Sequence, residues 1–297
     1  MYEQAHKKWR VPFESGQRDG ATGSAARLRR IESLDPNTER GRNKVQRDKT
    51  RDQMLTFKSD LHGNHLLGAL PSLEWELVAA DLELVQLRAG QLICDSGKRI
   101  HHVYFPTTAV ITMLHTMEDG GSVEVAAIGR EGMTGVPVLT GGDTMPARVQ
   151  VQVAGSAYRM TASALREHFG RSDLLRRITL LYMQALLTQV AQTAACNRHH
   201  ALSKQVCRWL LIQADRVRSD EMRVTQQSIA DMLGVRREGV TEAIGKLHDA
   251  GLVHNTRGCV KLLDRTALEA RSCECYGIVK REFDRMLPGT RQADALA

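Results

Sequence analysis

A chain of 297 residues with 41 Lys and Arg against 34 Asp and Glu carries a net charge of +7, and its pI is near 9.2. It is too long for one small domain, so two domains are the default; the basic balance suits a polyanionic partner without deciding between nucleic acid and a membrane surface. No apolar run is long enough to span a bilayer, and six irregularly spaced cysteines after a start with no apolar leader argue against a disulfide framework and fit free thiols in a reducing cytoplasm.

Residues 1–55 mix Lys7, Lys8, Arg10, Arg27, Arg29, Arg30, Arg40, Arg42, Lys44, Arg47, Lys49 and Arg51 with few large apolar groups, the composition of a disordered basic extension. Met54 stands just before the part expected to be ordered and is an alternative start. Over 61–77 the pattern predicts short helices, one opened by Pro71 and Ser72, with Leu73, Leu77 and Ala80 facing inward. The period then changes to two. Segments 84–87, 91–94, 102–105, 109–115, 122–128, 148–153 and 156–160 read as short strands separated by glycine breaks, which implies a sandwich or rolled sheet.

A short helix follows over 162–169, and a long one over 172–197 with two apolar stripes. Leu180, Met183, Leu187, Val190 and Ala194 recur as a coiled-coil seam does, while Leu174, Ile178, Leu181 and Ala185 would cover the sheet. Two stripes need two partners, so the seam predicts a two-fold dimer. After a hinge near His199, a helix over 201–217 contributes Val206, Trp209, Leu210 and Ile212 to the next core.

From 225 to 263 the residues predict two short helices, a tight turn and a hairpin. Thr225 is placed to cap the first helix, which buries Ile229, Ala230 and Leu233; Gly234 and Val235 turn the chain into a second helix burying Val240, Ile244 and Leu247; Gly251 stops it, and 252–263 reads as strand, Asn-Thr-Arg-Gly turn, strand. This is a winged helix-turn-helix. The outer face of its second helix carries Arg236, Arg237, Glu238, Thr241, Glu242 and Gly245, side chains of the kind that reach base edges in a major groove. Lys246, Arg257 and Lys261 suit phosphates, and Gln226 and Gln227 open the first helix at the same surface. One further amphipathic helix is expected over 268–287, from Tyr276, Val279, Phe283 and Met286.

The order of a glycine-punctuated rolled sheet, a long dimer helix and a winged helix-turn-helix resembles the Crp/Fnr family of bacterial transcription regulators. The resemblance covers roughly 61–287. It is carried by Ala89-Gly90, Ser96-Gly97, His102-Val103-Tyr104-Phe105-Pro106, Gly129-Arg130-Glu131-Gly132-Met133-Thr134-Gly135 and the stretch 226–252. It implies an α+β fold divided into the basic extension 1–55, a cyclic-nucleotide-binding-like β-roll (jelly roll) over 56–171, a dimerisation helix over 172–198, a DNA-binding domain over 199–265 and a C-terminal helix and tail over 266–297. Base-reading positions of the family fall on Arg237, Glu238 and Glu242, where arginine is the commoner residue at the last. The implied partners are double-stranded DNA with a pseudo-palindromic operator, a second copy of the chain and, as a further candidate, RNA polymerase, with no membrane involved.

Cyclic-nucleotide binders of this fold use a Gly-Glu pair for the ribose and an Arg followed by Ser or Thr for the phosphate. Here Gly135 is followed by Val136, and Arg148, the candidate phosphate ligand, by Val149, so a cyclic nucleotide is disfavoured and no cofactor is expected. The alternatives are a module whose task is sensing and an enzyme using the sheet cavity. Glu118, Asp119, Glu124 and Glu131 offer carboxylates, but nothing fixes a catalytic pair, so no enzyme is expected. No metal site is expected either: Cys273 and Cys275, with Cys259 nearby, lack the two-plus-two spacing of structural zinc, and Cys196, His199 and His200 at the hinge include adjacent histidines that point apart.

Overall fold

The computed structural model describes residues 63–217 and 219–286. The basic extension, Met54 and the chain beyond Met286 lie outside the described residues.

Alternation of buried and exposed side chains sets up two antiparallel sheets facing one core. Strands β1 (Glu83–Leu87), β7 (Gly155–Thr161) and β3 (His102–Pro106) form one, in the order β1-β7-β3. The other is β2 (Leu92–Cys94), β6 (Arg148–Val153), β4 (Val110–Thr116) and β5 (Ser122–Ile128), in the order β2-β6-β4-β5. Ile111 of β4 pairs with Ile128 on one side and Val151 on the other. Phe105, Ile111, Tyr158 and Met160 fill the space between the sheets, where burying each large apolar side chain contributes roughly 1.5–3 kcal/mol. A 3-10 helix, Val136–Thr140, follows Gly135, and the alternation gave no sign of it.

Two short helices, α1 (His65–Gly68) and α2 (Ser72–Ala79), precede the sheets. The expected inward face of α2 is corrected: Leu73 is 75% and Leu77 64% exposed and Ala80 is also exposed, while Trp75 and Val78 are buried. Trp75 decides the rotation, because its ring packs edge-on against Tyr158 at 6.4 Å and joins the sheet core together with Val78 one turn on.

Helix α3 (Ala162–Arg171) leads into α4 (Asp173–His199), whose first turn is capped by Ser172 Oγ accepting from the Leu175 amide at 3.0 Å. The buried face of α4 runs through Leu175, Ile178, Tyr182, Ala185, Leu186, Gln189, Thr193 and Cys196. Ile178 and Ala185 of the expected stripe lie on it, and Leu174 and Leu181, half-buried, pack against the same core at its edge. The polar members are satisfied: Tyr182 Oη donates to the Met133 carbonyl at 2.8 Å and Gln189 Nε2 to the Ala127 carbonyl at 3.0 Å, contacts that apolar periodicity does not register.

Helix α5 (Leu202–Val217) begins after an extended His200 and is the spine of a second core with Trp209, Leu210, Ile229, Val240, Ile244 and Leu268. The second core also holds α6 (Gln226–Leu233), α7 (Arg237–Asp249) and a three-stranded sheet in the order β8-β10-β9, formed by β8 (Glu221–Met222), β9 (Val253–Thr256) and β10 (Cys259–Leu262). Arg216 of α5 ties the two cores together. Its Nε donates to Glu131 at 2.9 Å and its Nη2 to Gln189 at 2.8 Å. The single helix expected over 268–287 is two, α8 (Arg265–Arg271) and α9 (Glu274–Met286), broken at Ser272 and Cys273. Asp264 caps α8, whose Leu268 belongs to the second core; α9 begins on that core with Tyr276 and ends on the first with Met286, its Phe283 packing on Tyr182 of α4.

Candidate nucleic-acid interface

The turn between α6 and α7 explains the exposure of the surface beyond it. Thr225 Oγ1 accepts from the Ser228 amide at 3.0 Å and starts α6. Gly234 ends it with φ 65°, ψ 38°, a left-handed conformation that costs a residue with a Cβ about 1 kcal/mol or more. Val240, Ala243, Ile244 and Leu247 hold the inner face of α7. The opposite face is then forced outward: Arg237, Glu238, Thr241, Glu242 and Lys246 are all exposed, and Gly245 between them leaves open space.

Arg236 is the extended residue that precedes α7, and its side chain makes no cap bond. Two bonds organise the rest of the surface. Thr241 Oγ1 donates to Gln226 Oε1 at 2.7 Å, which joins the start of α6 to the second turn of α7, and Lys246 Nζ donates to Glu242 at 2.6 Å. The ammonium holds the Glu242 carboxyl below its ordinary range. Gln227 is exposed and bonded to Asp231 at 2.8 Å. Arg257 lies at the tip of the β9–β10 hairpin and Lys261 on its exposed side.

In the rolled sheet, Gly135 is buried with φ 81° at the start of the 3-10 helix, and a Cβ there would come within 2.5 Å of Val103 Cγ1. Val136 beside it is half-buried, and the neighbouring Met133, Met145, Ala147 and Val149 are buried and apolar. Arg148 opens β6 opposite Leu114 with its side chain exposed. Two of the carboxylates weighed as catalytic groups have structural partners. Glu131 receives Arg216 and the Gly129 amide, and Glu124 receives Thr112 Oγ1 at 2.6 Å beneath α6, where burial pushes its pKa up.

Two family models match this arrangement: that of the cyclic nucleotide-binding domain over residues 84–172 and that of the Crp-like helix-turn-helix domain over 204–271. The chain belongs to the Crp/Fnr family. As a Crp/Fnr protein it is a DNA-binding transcription regulator. Solved structures share the fold. FixK2 from Bradyrhizobium japonicum is 18% identical with a TM-score of 0.57, covering 65% of this chain and 98% of its own. A protein from Eubacterium rectale ascribed to the same family is 17% identical with a TM-score of 0.55, over 69% of this chain and 96% of its own. A CRP-family regulator from Thermus thermophilus is 20% identical with a TM-score of 0.52, over 63% and 96%. No curated protein matches the sequence. Among the described residues no helix is long and apolar enough to cross a membrane.

Sequence reasoning missed Arg216 and Gln189, which fix how the Crp/Fnr DNA-binding part meets the sheet. It also read Cys196 and His200 apart from Cys273 and Cys275. The structure brings these four side chains within 4.8 Å of one another, while His199 and Cys259 stay outside the group.

Proposed function

We propose that the chain acts in the cytoplasm as a homodimer on a pseudo-palindromic operator, with α7 of each copy in a major groove. The observation that carries this is the state of Arg236, Arg237 and Glu238: all three are exposed at the start of α7, and none of their side chains is bonded to another described residue. Side chains already paired within the protein would have to give up those bonds to read DNA; these do not. Arg237 and Glu238 are the principal base readers, an arginine for guanine and a carboxylate for a cytosine amino group, with Arg236, Thr241 and Glu242 beside them. Lys246, Gln226, Gln227, Arg257 and Lys261 hold the phosphates. RNA polymerase is the further partner that such a protein meets at a promoter.

In this reading 56–171 is the effector domain, 172–198 the dimer helix, 199–265 the DNA-binding domain and 266–297 a C-terminal helix and tail, with 1–55 a basic extension. The effector domain works without a cyclic nucleotide, through an unidentified signal or as the dimer's frame, although Gly135 and Arg148 remain the positions nearest a ligand site. The support is chemical: Val136 cannot accept from a ribose hydroxyl, and buried apolar side chains surround the turn.

The test is a binding series on genomic fragments. Arg237→Ala is expected to weaken the operator by about 1–3 kcal/mol and to relax base choice at one position, while Lys246→Ala weakens every sequence alike and lowers the salt slope by about one. Equal loss on all DNA from Arg237→Ala removes that residue from base reading.

A further inference from the structure

Between the two apolar cores lies a third, separate buried group made of Cys196, Cys273 and Cys275. All three are free thiols. Cys196 is on the last turn of α4, His200 is the extended residue that joins α4 to α5, and Cys273 and Cys275 stand at the start of α9. Chain segments more than 70 residues apart therefore converge on one point.

We propose that Cys196, His200, Cys273 and Cys275 form a tetrahedral site for one divalent soft-ligand metal ion, with zinc as the natural occupant. Four ligands at zinc distances, about 2.3 Å for sulfur and about 2.0 Å for nitrogen, define a tetrahedron with edges of about 3.5–3.8 Å. Cys196 Sγ lies 3.6 Å from Cys273 Sγ, and Cys275 Sγ lies 3.4 Å from His200 Nδ1. The four donor atoms all fall within 4.8 Å. A cluster of two or four irons holds its thiolates further apart than a single ion does, so this spacing selects a mononuclear centre.

The surroundings are those of a metal site as well. His200 turns Nδ1 inward while its Nε2 lies 3.3 Å from Glu274 Oε1, the carboxylate–histidine arrangement that fixes the tautomer of a ligating imidazole. Gln192 Nε2 donates to Cys275 Sγ at 3.1 Å. Three thiolates and a neutral imidazole around a divalent ion leave one negative charge, and a buried cation stands ready for it. Arg208 is 4% exposed, pairs with no carboxylate among the described residues, and has a buried Nε without a partner. Its Nη1 donates to Thr193 Oγ1 at 3.3 Å, one turn before Cys196 on α4. Glu124, buried beneath α6, is also within its electrostatic range, so the charge of the occupied centre would add to that carboxylate rather than stand alone against the guanidinium.

The centre would clamp α9 to the junction where α4 leads into the DNA-binding core. Sequence spacing hid it because no two-plus-two motif exists: each half supplies two ligands that look incidental alone.

The experiment uses the full chain purified without chelator under reducing, oxygen-free conditions. One equivalent of zinc per chain is expected by mass spectrometry of the metal. Replacement by cobalt(II) should give the long-wavelength bands of tetrahedral geometry with sulfur-to-cobalt charge transfer of three thiolates, a readout that needs no variant. Cys273→Ser with Cys275→Ser should abolish stoichiometric metal, whereas Cys94→Ser and Cys259→Ser should keep it. Four results overturn the proposal: no tetrahedral cobalt spectrum in folded wild type, metal retained in the double variant, iron with acid-labile sulfide, or a Cys196–Cys273 disulfide in the freshly isolated protein.

Discussion

His65 carries a residue-level consequence that its place on a four-residue helix does not suggest. Its Nε2 accepts from Arg130 Nε at 2.7 Å, which requires a neutral ring. Burial first, and the Arg130 charge second, lower its pKa from 6.5 to about 4. In the unfolded chain the ring returns to about 6.5, so between the two values the unfolded state binds the extra proton. Stability is therefore full above pH 6.5 and is lost as pH falls toward 4. By linkage, His65→Gln, which keeps an acceptor but does not titrate, should lose about 2 kcal/mol less than wild type between pH 7 and pH 5 in urea unfolding; a pH-independent difference between the two would refute it. Arg216, by contrast, has no signal in the sequence at all. A charged residue near the end of a helix reads as solvated, and only the fold reveals Glu131 and Gln189 waiting for it.

At the scale of elements, the helix-turn-helix was the most legible part because its determinants are local. Thr225, Gly234 and the spacing of Val240, Ile244 and Leu247 each fix structure within a turn or two of themselves, and the structure has all three in those roles. What was not legible depends on distant partners. Strand β8 has only two residues and exists because β10 pairs with it. The face of α2 was set by Tyr158, and the course of α9 by the two cores it packs against at its opposite ends. The cap makes the local argument testable. Thr225→Ala should reduce stability by about 1 kcal/mol in chemical denaturation, and Thr225→Ser should restore most of it. Because the lost bond is to the Ser228 amide and not to DNA, operator preference should stay the same; a changed preference would place Thr225 in base reading instead.

For the whole molecule the question is what covers the outer side of α4. Its inner side is spent on the sheet core and on α9, yet Leu180 is 41% and Leu187 67% exposed, with Ala191 and Ala194 exposed further along and Met183 and Val190 half-buried beside them. All of these but Ala191 fall on the seam expected from spacing, and they lie on one long helix, so a second copy rotated by a two-fold axis would meet this stripe with the same stripe. The same axis would present two α7 helices to successive major grooves, which a single copy cannot do, and operator affinity would then depend on the pair more steeply than on any one side chain. Leu180→Glu with Leu187→Glu puts like charges against each other across that axis while leaving the buried face of α4 intact. The variant should sediment as a monomer with native circular dichroism, and its operator binding should fall toward the level of nonspecific DNA. A dimer that survives both substitutions would locate the contact elsewhere, and a monomer that still binds the operator at full strength would remove the need for two-fold symmetry in DNA reading.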